Sequence, residues 1–156
     1  MVVWRIVQRR MAKHALTGEG ARRFGGRWNS PGHAVVYTAQ SQSLAALEIL
    51  VHVDSEILLE HYVAIPITIE ESLITQIKPS GLPRSWRAYP ATKATRQLGD
   101  AWIIAQTSAV LQVPSAVILT ESNFLLNPNH PDFRNLAAGK PIPFKFDSRL
   151  TPNSSL

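Results

Sequence analysis

The sequence predicts an α+β fold in a single compact domain. Three observations carry this expectation. The chain has 156 residues, about the length of one domain and enough to bury a core without staples. It is 45% hydrophobic and 17% charged, a globular rather than a disordered balance. Strand-like and helix-like stretches alternate without the regular βαβ rhythm of a doubly wound sheet.

The elements follow in order. Residues 2–7 (VVWRIV) read as a strand, and residues 8–17 as a short helix or a loop. Residues 18–33 read as a glycine-rich loop. Residues 33–39 (HAVVYTA) are β-branched and aromatic, hence a strand. Residues 41–53 read as a helix opened by serine caps. Residues 61–69 (HYVAIPITI) form a strand, where Pro66 implies an edge or a bulge. Four Pro and Gly residues leave 70–91 as irregular pieces. Helical spacing of Leu98, Ala101, Trp102, Ala105 and Ala109 extends a helix over 92–111. Pro114 closes that region, SAVILT (115–120) reads as a buried strand, NPNHPDF as a loop and 141–146 as a last strand. The domain is expected over 1–150, with 151–156 a disordered polar tail.

Charge is uneven. Residues 1–28 carry seven Lys or Arg against Glu19 alone, while the remainder is nearly balanced. Such a local field suits an anionic ligand or an acidic partner, or is a solvated basic face. The chain has no cysteine, so thiolate metal sites and nucleophiles are excluded. The five histidines show no metal-ligand spacing, and no metal is expected. No apolar run approaches the roughly 20 residues of a membrane span. In MVVWRIVQRR the charges follow the apolar run, unlike a signal peptide. A cytoplasmic location away from membranes is the expectation.

Two features could carry chemistry. The first is GARRFGGRWN (20–29). Glycines such as Gly26 let a ligand approach the main chain, and Arg27 offers a planar fork that matches phosphate or carboxylate. Trp28 and Phe24 can stack on a base or plug the core. Neither the P-loop nor the Rossmann pattern is present. The plain alternative is a surface turn. The second feature is Glu48, which projects from the Leu44–Leu47–Val51 stripe and needs a partner, with His52 a candidate, unless it reaches solvent. Tyr37 sits on the 33–39 strand, where packing is the usual role. Ser115 follows Pro114 without the elbow of a hydrolase nucleophile.

Three stretches together, GEGARRFGGRWNSPG, VVYTAQSQSLAALEILVH and VPSAVILTESNFLLNPNHPDF, resemble in this order the motifs of the RES domain family. The resemblance spans roughly residues 2–147. It implies a fold similar to ADP-ribosyltransferases, with small split sheets around an NAD cleft. It implies a bacterial toxin that breaks the nicotinamide–ribose bond of NAD+ by hydrolysis or phosphorolysis, or transfers ADP-ribose to a protein. The family's arginine, glutamate and serine correspond to Arg27, Glu48 and Ser115, and Tyr37 matches the tyrosine before the glutamate helix. Asn127 and His130 match the late loop, and Arg5 the family's early arginine.

The implied roles are pyrophosphate binding by Arg27 with Arg5, and nicotinamide stacking by Tyr37. Glu48 would stabilise the ribose cation, and Ser115 would contact the nicotinamide ribose or amide. NAD+ is substrate rather than cofactor, with inorganic phosphate a candidate co-substrate. The implied partner is an Xre-type antitoxin that covers the site in a hetero-oligomer. Direct nucleic-acid binding is not expected, although an RNA-targeting toxin and an inactive scaffold are rival readings.

Overall fold

The structure, a computed structural model, describes residues 1–52 and 61–150. The observed class is α+β, as expected, and one eight-stranded sheet organises it. Strand β1 (Val2–Gln8) lies antiparallel to β3 (Tyr62–Thr68) over its whole length, from Val2 opposite Thr68 to Gln8 opposite Tyr62. On the far side of β3, Ala137–Ala138 (β7) pairs with Ile67 and Thr68, and Ile142–Phe144 (β8) with Tyr62–Ala64.

A second ladder runs from β2 (Val36–Ala39) through β6 (Ser122–Leu126) and β5 (Val110–Pro114) to β4 (Ile74–Gln76). The two ladders meet in one register pair, Trp4 opposite Ala39. The sheet is therefore split, and Arg5 Nη1 bridges the opening to the Tyr37 carbonyl at 2.7 Å.

Among the described residues three α-helices flank the sheet: α1 (Glu19–Phe24), α2 (Gln42–Leu50) and α3 (Lys93–Ala105). Helix α2 covers the β1–β3 half, where Leu44 and Ala45 pack with Ile6, Tyr62 and Phe146. Helix α3 covers the other half, where Trp102 and Ile103 pack with Trp28, Leu111 and Leu125. No helix among the described residues is long and apolar enough to cross a membrane.

Several expectations need correction. The loop of 18–33 contains α1, because Glu19 holds Arg22 and Arg23 across one turn, both at 2.7–2.8 Å. Pro66 is in an interior strand rather than at an edge or bulge. Its carbonyl accepts from Gly139 N at 2.8 Å, so its missing N–H falls in the gap where the neighbour changes from β8 to β7. No ladder bond is lost there.

The helix of 92–111 ends at Ala105, where Gln106 turns left-handed at φ 51°. Leu111 and Val113 then share one buried face of β5, with Val110 buried on the other. Ala109, buried just before that strand, stands four positions after Ala105 and so extended the helical spacing past the true end. SAVILT is a turn rather than a strand, because Ser115 Oγ accepts from Val117 N and Ile118 N, each at 3.1 Å.

Residues 74–76 are ordered as β4 rather than irregular. On α2 the serine cap holds, with Ser41 Oγ accepting from Leu44 N at 3.1 Å, but Val51 is 55% exposed and leaves the apolar stripe. Val53 of that expected helix and the whole 151–156 tail lie outside the described residues.

Candidate active site

A cavity of about 730 Å³ opens along the split in the sheet. Its floor includes one transverse row of the sheet, Trp4, Ala39 and Asn123, which are register partners in succession. Helix α2 contributes Glu48 to one wall, and the loop after α1 contributes Arg27 to another. The size lies within the roughly 300–1,000 Å³ of small-molecule sites.

Glu48 is half-buried, and two side chains hold it. Ser115 Oγ donates to Glu48 Oε1 at 2.9 Å, and Asn123 Nδ2 donates to the same oxygen at 2.6 Å. Both bonds go to Oε1, and among the described residues no hydrogen bond engages Oε2. His52, the partner considered from sequence, instead lies beside Tyr89, with ring centroids 6.3 Å apart. Ser115 itself is fully buried, and its hydroxyl is already engaged by Glu48 and two backbone amides. It does not line the cavity. The structure thus sets Ser115 behind Glu48, not on the surface that a substrate would touch.

Arg27 is held from the opposite side. Its Nη1 donates to the carbonyls of Trp86 at 2.7 Å and Ala88 at 2.9 Å. Nε and Nη2 make no such bond among the described residues. Desolvation by burial lowers its pKa, and the charge of Glu48 opposes that shift. Arg27 and Glu48 therefore lie within electrostatic reach of one another.

The loop that carries Arg27 is rigidly built. Gly25 adopts φ 71°, which other residues rarely do. A Cβ on Gly26 would stand 2.5 Å from Tyr37 Oη, so only glycine lets the ring close on the loop. Tyr37 Oη donates to Asn29 Oδ1 at 2.7 Å and accepts from Trp28 N at 3.1 Å. Asn29 is fully buried, and its amide nitrogen ties Ala21, Ser30 and His33 carbonyls together. Asp100 of α3 fixes the next residue, accepting from Ser30 N at 2.8 Å and Ser30 Oγ at 2.6 Å.

Burial pushes the Tyr37 phenol pKa well above the ordinary tyrosine value. Its hydroxyl is thus a structural tie, while its ring faces the cavity. Trp28 is a core residue at 2% exposure, although an edge of it reaches the cavity wall.

Arg5 lines the cavity on β1. Burial pushes its pKa down to about 10, which still leaves it charged at neutral pH. Its Nε is buried without a partner, and among the described residues no carboxylate pairs with it. Asn123 Oδ1 is likewise buried and unpaired. Such atoms cost free energy until a ligand or water satisfies them.

Asn127 and His130 are not brought to this site. They follow the end of β6 opposite to Asn123, and neither lines the cavity. Asn127 Oδ1 accepts from Asn129 N at 3.0 Å, and His130 Nδ1 accepts from Asp132 N at 3.1 Å, so both shape their own loop. Sequence reasoning missed Asn123, Asn29 and Arg96. Asn123 carried a readable signal, an amide on the apolar strand SNFLL. Asn29 and Arg96, a third arginine of the cavity lining, carried none.

Comparison with known proteins places this geometry in context. The RES domain model matches residues 2–147. Toxin Res of Yersinia enterocolitica is 43% identical over 151 residues, covering 96% of this chain and 99% of that protein. The Prs ADP-ribosylating toxin of a Sphingobium species is 36% identical over 152 residues, covering 94% of each. Among solved structures, the M. tuberculosis MbcT–MbcA toxin–antitoxin complex contains a chain with the same fold. Its TM-score is 0.76 at 20% identity, over 92% of this chain and 84% of that one.

Proposed function

This chain belongs to the RES domain family of toxins, and from that premise we propose that it cleaves the nicotinamide–ribose bond of NAD+. The observation that carries the reading is Glu48. A carboxylate is fixed through one oxygen by Ser115 and Asn123, with its other oxygen left for a ligand, across a cavity from Arg27.

The chemistry fits these groups. When the C1′–N1 bond breaks, its electron pair goes to the pyridinium nitrogen, and nicotinamide leaves neutral. No general acid is required. The ribosyl carbon gains positive charge, as in glycoside hydrolysis. Glu48 Oε2 beneath that ribose would stabilise the cation and accept a hydrogen bond from a ribose hydroxyl. Because the carboxylate is preorganised by its two donors, little reorganisation accompanies the step.

Tyr37 would present its ring to nicotinamide, since its hydroxyl is engaged elsewhere. Arg27 through Nε and Nη2, with Arg5 beside it, would take the pyrophosphate. Ser115 acts through Glu48 as a positioning residue. Asn127 and His130 have no role in this scheme.

The cation is then captured by water, by inorganic phosphate or by a protein side chain. Water gives ADP-ribose and releases a proton, and phosphate gives ADP-ribose 1″-phosphate. Transfer to a protein is the second reading, favoured by the name of the Sphingobium relative. Depletion of NAD+ would arrest growth, so a partner must restrain the enzyme. The solved neighbour was captured with its antitoxin, and an antitoxin of the Xre type is the partner expected here. An acidic group on it would suit the arginines of the cavity. Direct nucleic-acid binding is not expected, because Glu19 pairs with both Arg22 and Arg23 and offsets part of their charge.

The test is direct. The purified chain, freed of antitoxin, is incubated with NAD+ with and without inorganic phosphate, and products are identified by mass. ADP-ribose independent of phosphate supports hydrolysis. ADP-ribose 1″-phosphate formed only with phosphate supports phosphorolysis. Intact NAD+ in both tubes, from folded protein, overturns free NAD+ cleavage and leaves ADP-ribosyl transfer to a protein or no catalysis.

A further inference from the structure

Two aromatic side chains that line the cavity stand almost wholly in water. Phe24 is 83% exposed and Tyr89 is 81% exposed. A scattered surface aromatic needs no explanation, but two on the rim of one concave site do. Neither contributes to any of the three core clusters.

Their place relative to Arg27 is informative. Phe24 ends α1 three positions before Arg27. Tyr89 follows directly on Ala88, whose carbonyl accepts from Arg27 Nη1 at 2.9 Å. The guanidinium thus joins the two chain segments that carry the rings. His52, in the turn after α2, lies beside Tyr89 with an interplanar angle of 36°. Tyr37 and Glu48, less exposed than these rings, line the same cavity, and the charge of Glu48 acts on Arg27. The site therefore has an order: ring and carboxylate within, cation in the middle, two open rings at the mouth. A dinucleotide has the same order, with a base and its ribose at each end and the pyrophosphate between them. Trp28, the other stacking candidate of the loop, is buried and unavailable.

We infer that Phe24 and Tyr89 hold the adenine base of the dinucleotide at the cavity mouth by stacking. This rests on the NAD+ reading above. Stacking uses the π-faces common to all bases, so these rings supply affinity rather than base selectivity.

The experiment replaces Phe24→Ala and Tyr89→Ala, singly and together, in the purified full chain. Binding of AMP is measured by calorimetry, and NAD+ turnover by product formation. Each substitution should weaken AMP binding about tenfold and raise KM for NAD+ by a similar factor, with kcat nearly unchanged. Tyr89→Phe should restore AMP affinity, because the ring and not the hydroxyl is used. Melting temperatures should not move, since both side chains are exposed.

Unchanged AMP affinity and KM in the double variant overturn the inference. So does a double variant that keeps AMP affinity but loses its hold on the antitoxin, which would assign the rings to a protein interface. Failure of the unsubstituted chain to turn over NAD+ is a separate result, and it removes the underlying reading instead.

Discussion

Ser115→Ala separates a supporting hydroxyl from a substrate-binding one. The substitution deletes three hydrogen bonds: one donated to Glu48 at 2.9 Å and two accepted from backbone amides at 3.1 Å. A hydrogen bond to a charged group contributes about 1.5–3 kcal/mol, and each neutral bond about 1 kcal/mol. Val117 and Ile118 are only partly buried, so water will recover part of the amide loss. A net destabilisation of about 3 kcal/mol follows. At about 2–4 °C per kcal/mol for a chain of this size, the melting temperature should fall by about 6–12 °C.

Catalysis should respond differently from binding. Glu48 keeps its bond from Asn123 but loses one of two orienting donors, so kcat should fall about tenfold while KM stays near its original value. Thermal melts and steady-state kinetics on the same preparation decide the matter. An unchanged melting temperature with a raised KM would refute the reasoning, because that is the signature of a hydroxyl that touches substrate.

The remaining predictions concern the site and its scaffold. Glu48→Gln should lower kcat by about 10²–10³ with little change in KM, because its charge acts mainly in the transition state; equal losses in binding and turnover would contradict the role. Gly99→Ala should cost about 3 kcal/mol or more, seen as lost soluble protein or a collapsed melt, because its Cβ would overlap the Trp28 carbonyl oxygen. Gly20→Ala, with nothing within 4 Å, is the control that should melt normally.

Tyr37 sets an alkaline limit. Its folded pKa is raised, chiefly by desolvation, above the ordinary value of about 10. Its contribution to stability is therefore fully present below about pH 10 and is lost as pH rises beyond that. Denaturant melts between pH 9 and about 12 should show this loss, and Tyr37→Phe should flatten it; parallel slopes would remove Tyr37 as the cause.

How much of this was legible in the sequence depended on the kind of signal. Strands β1 and β3 were readable because each is a short apolar run rich in β-branched residues. The α2 start was readable from its serine cap, and that helix delivered Glu48. The α3 boundary was not, because Ala109, buried beyond the left-handed stop at Gln106, falls at helical spacing from Ala105 by chance. Ser115 was found as a motif residue, yet its place behind Glu48 depends on a turn whose donors are backbone amides. No side-chain pattern announces that.

Of the three loop arginines Arg27 alone lines the cavity, and the structure explains why the two before it differ: Glu19 pairs with both. Asn127 and His130 matched a family motif but shape a loop away from the cavity. A motif marks residues held together in sequence, and β6 separates its two ends in space.

The single pair that joins the two ladders has a mechanical consequence. Elsewhere the sheet is laced by runs of three to seven register pairs, apart from the short β7 edge. At the join it is tacked by Trp4 and Ala39 and by the Arg5 guanidinium. Such a seam is the compliant line of the molecule. Twisting one panel against the other would open or narrow the cavity without tearing a ladder. Arg5 is both the stitch across that seam and a cation of the cavity wall with no carboxylate partner among the described residues. An anion that draws Arg5 toward itself would thus pull on the stitch, so that occupancy of the cavity and the set of the two panels are felt through the same side chain.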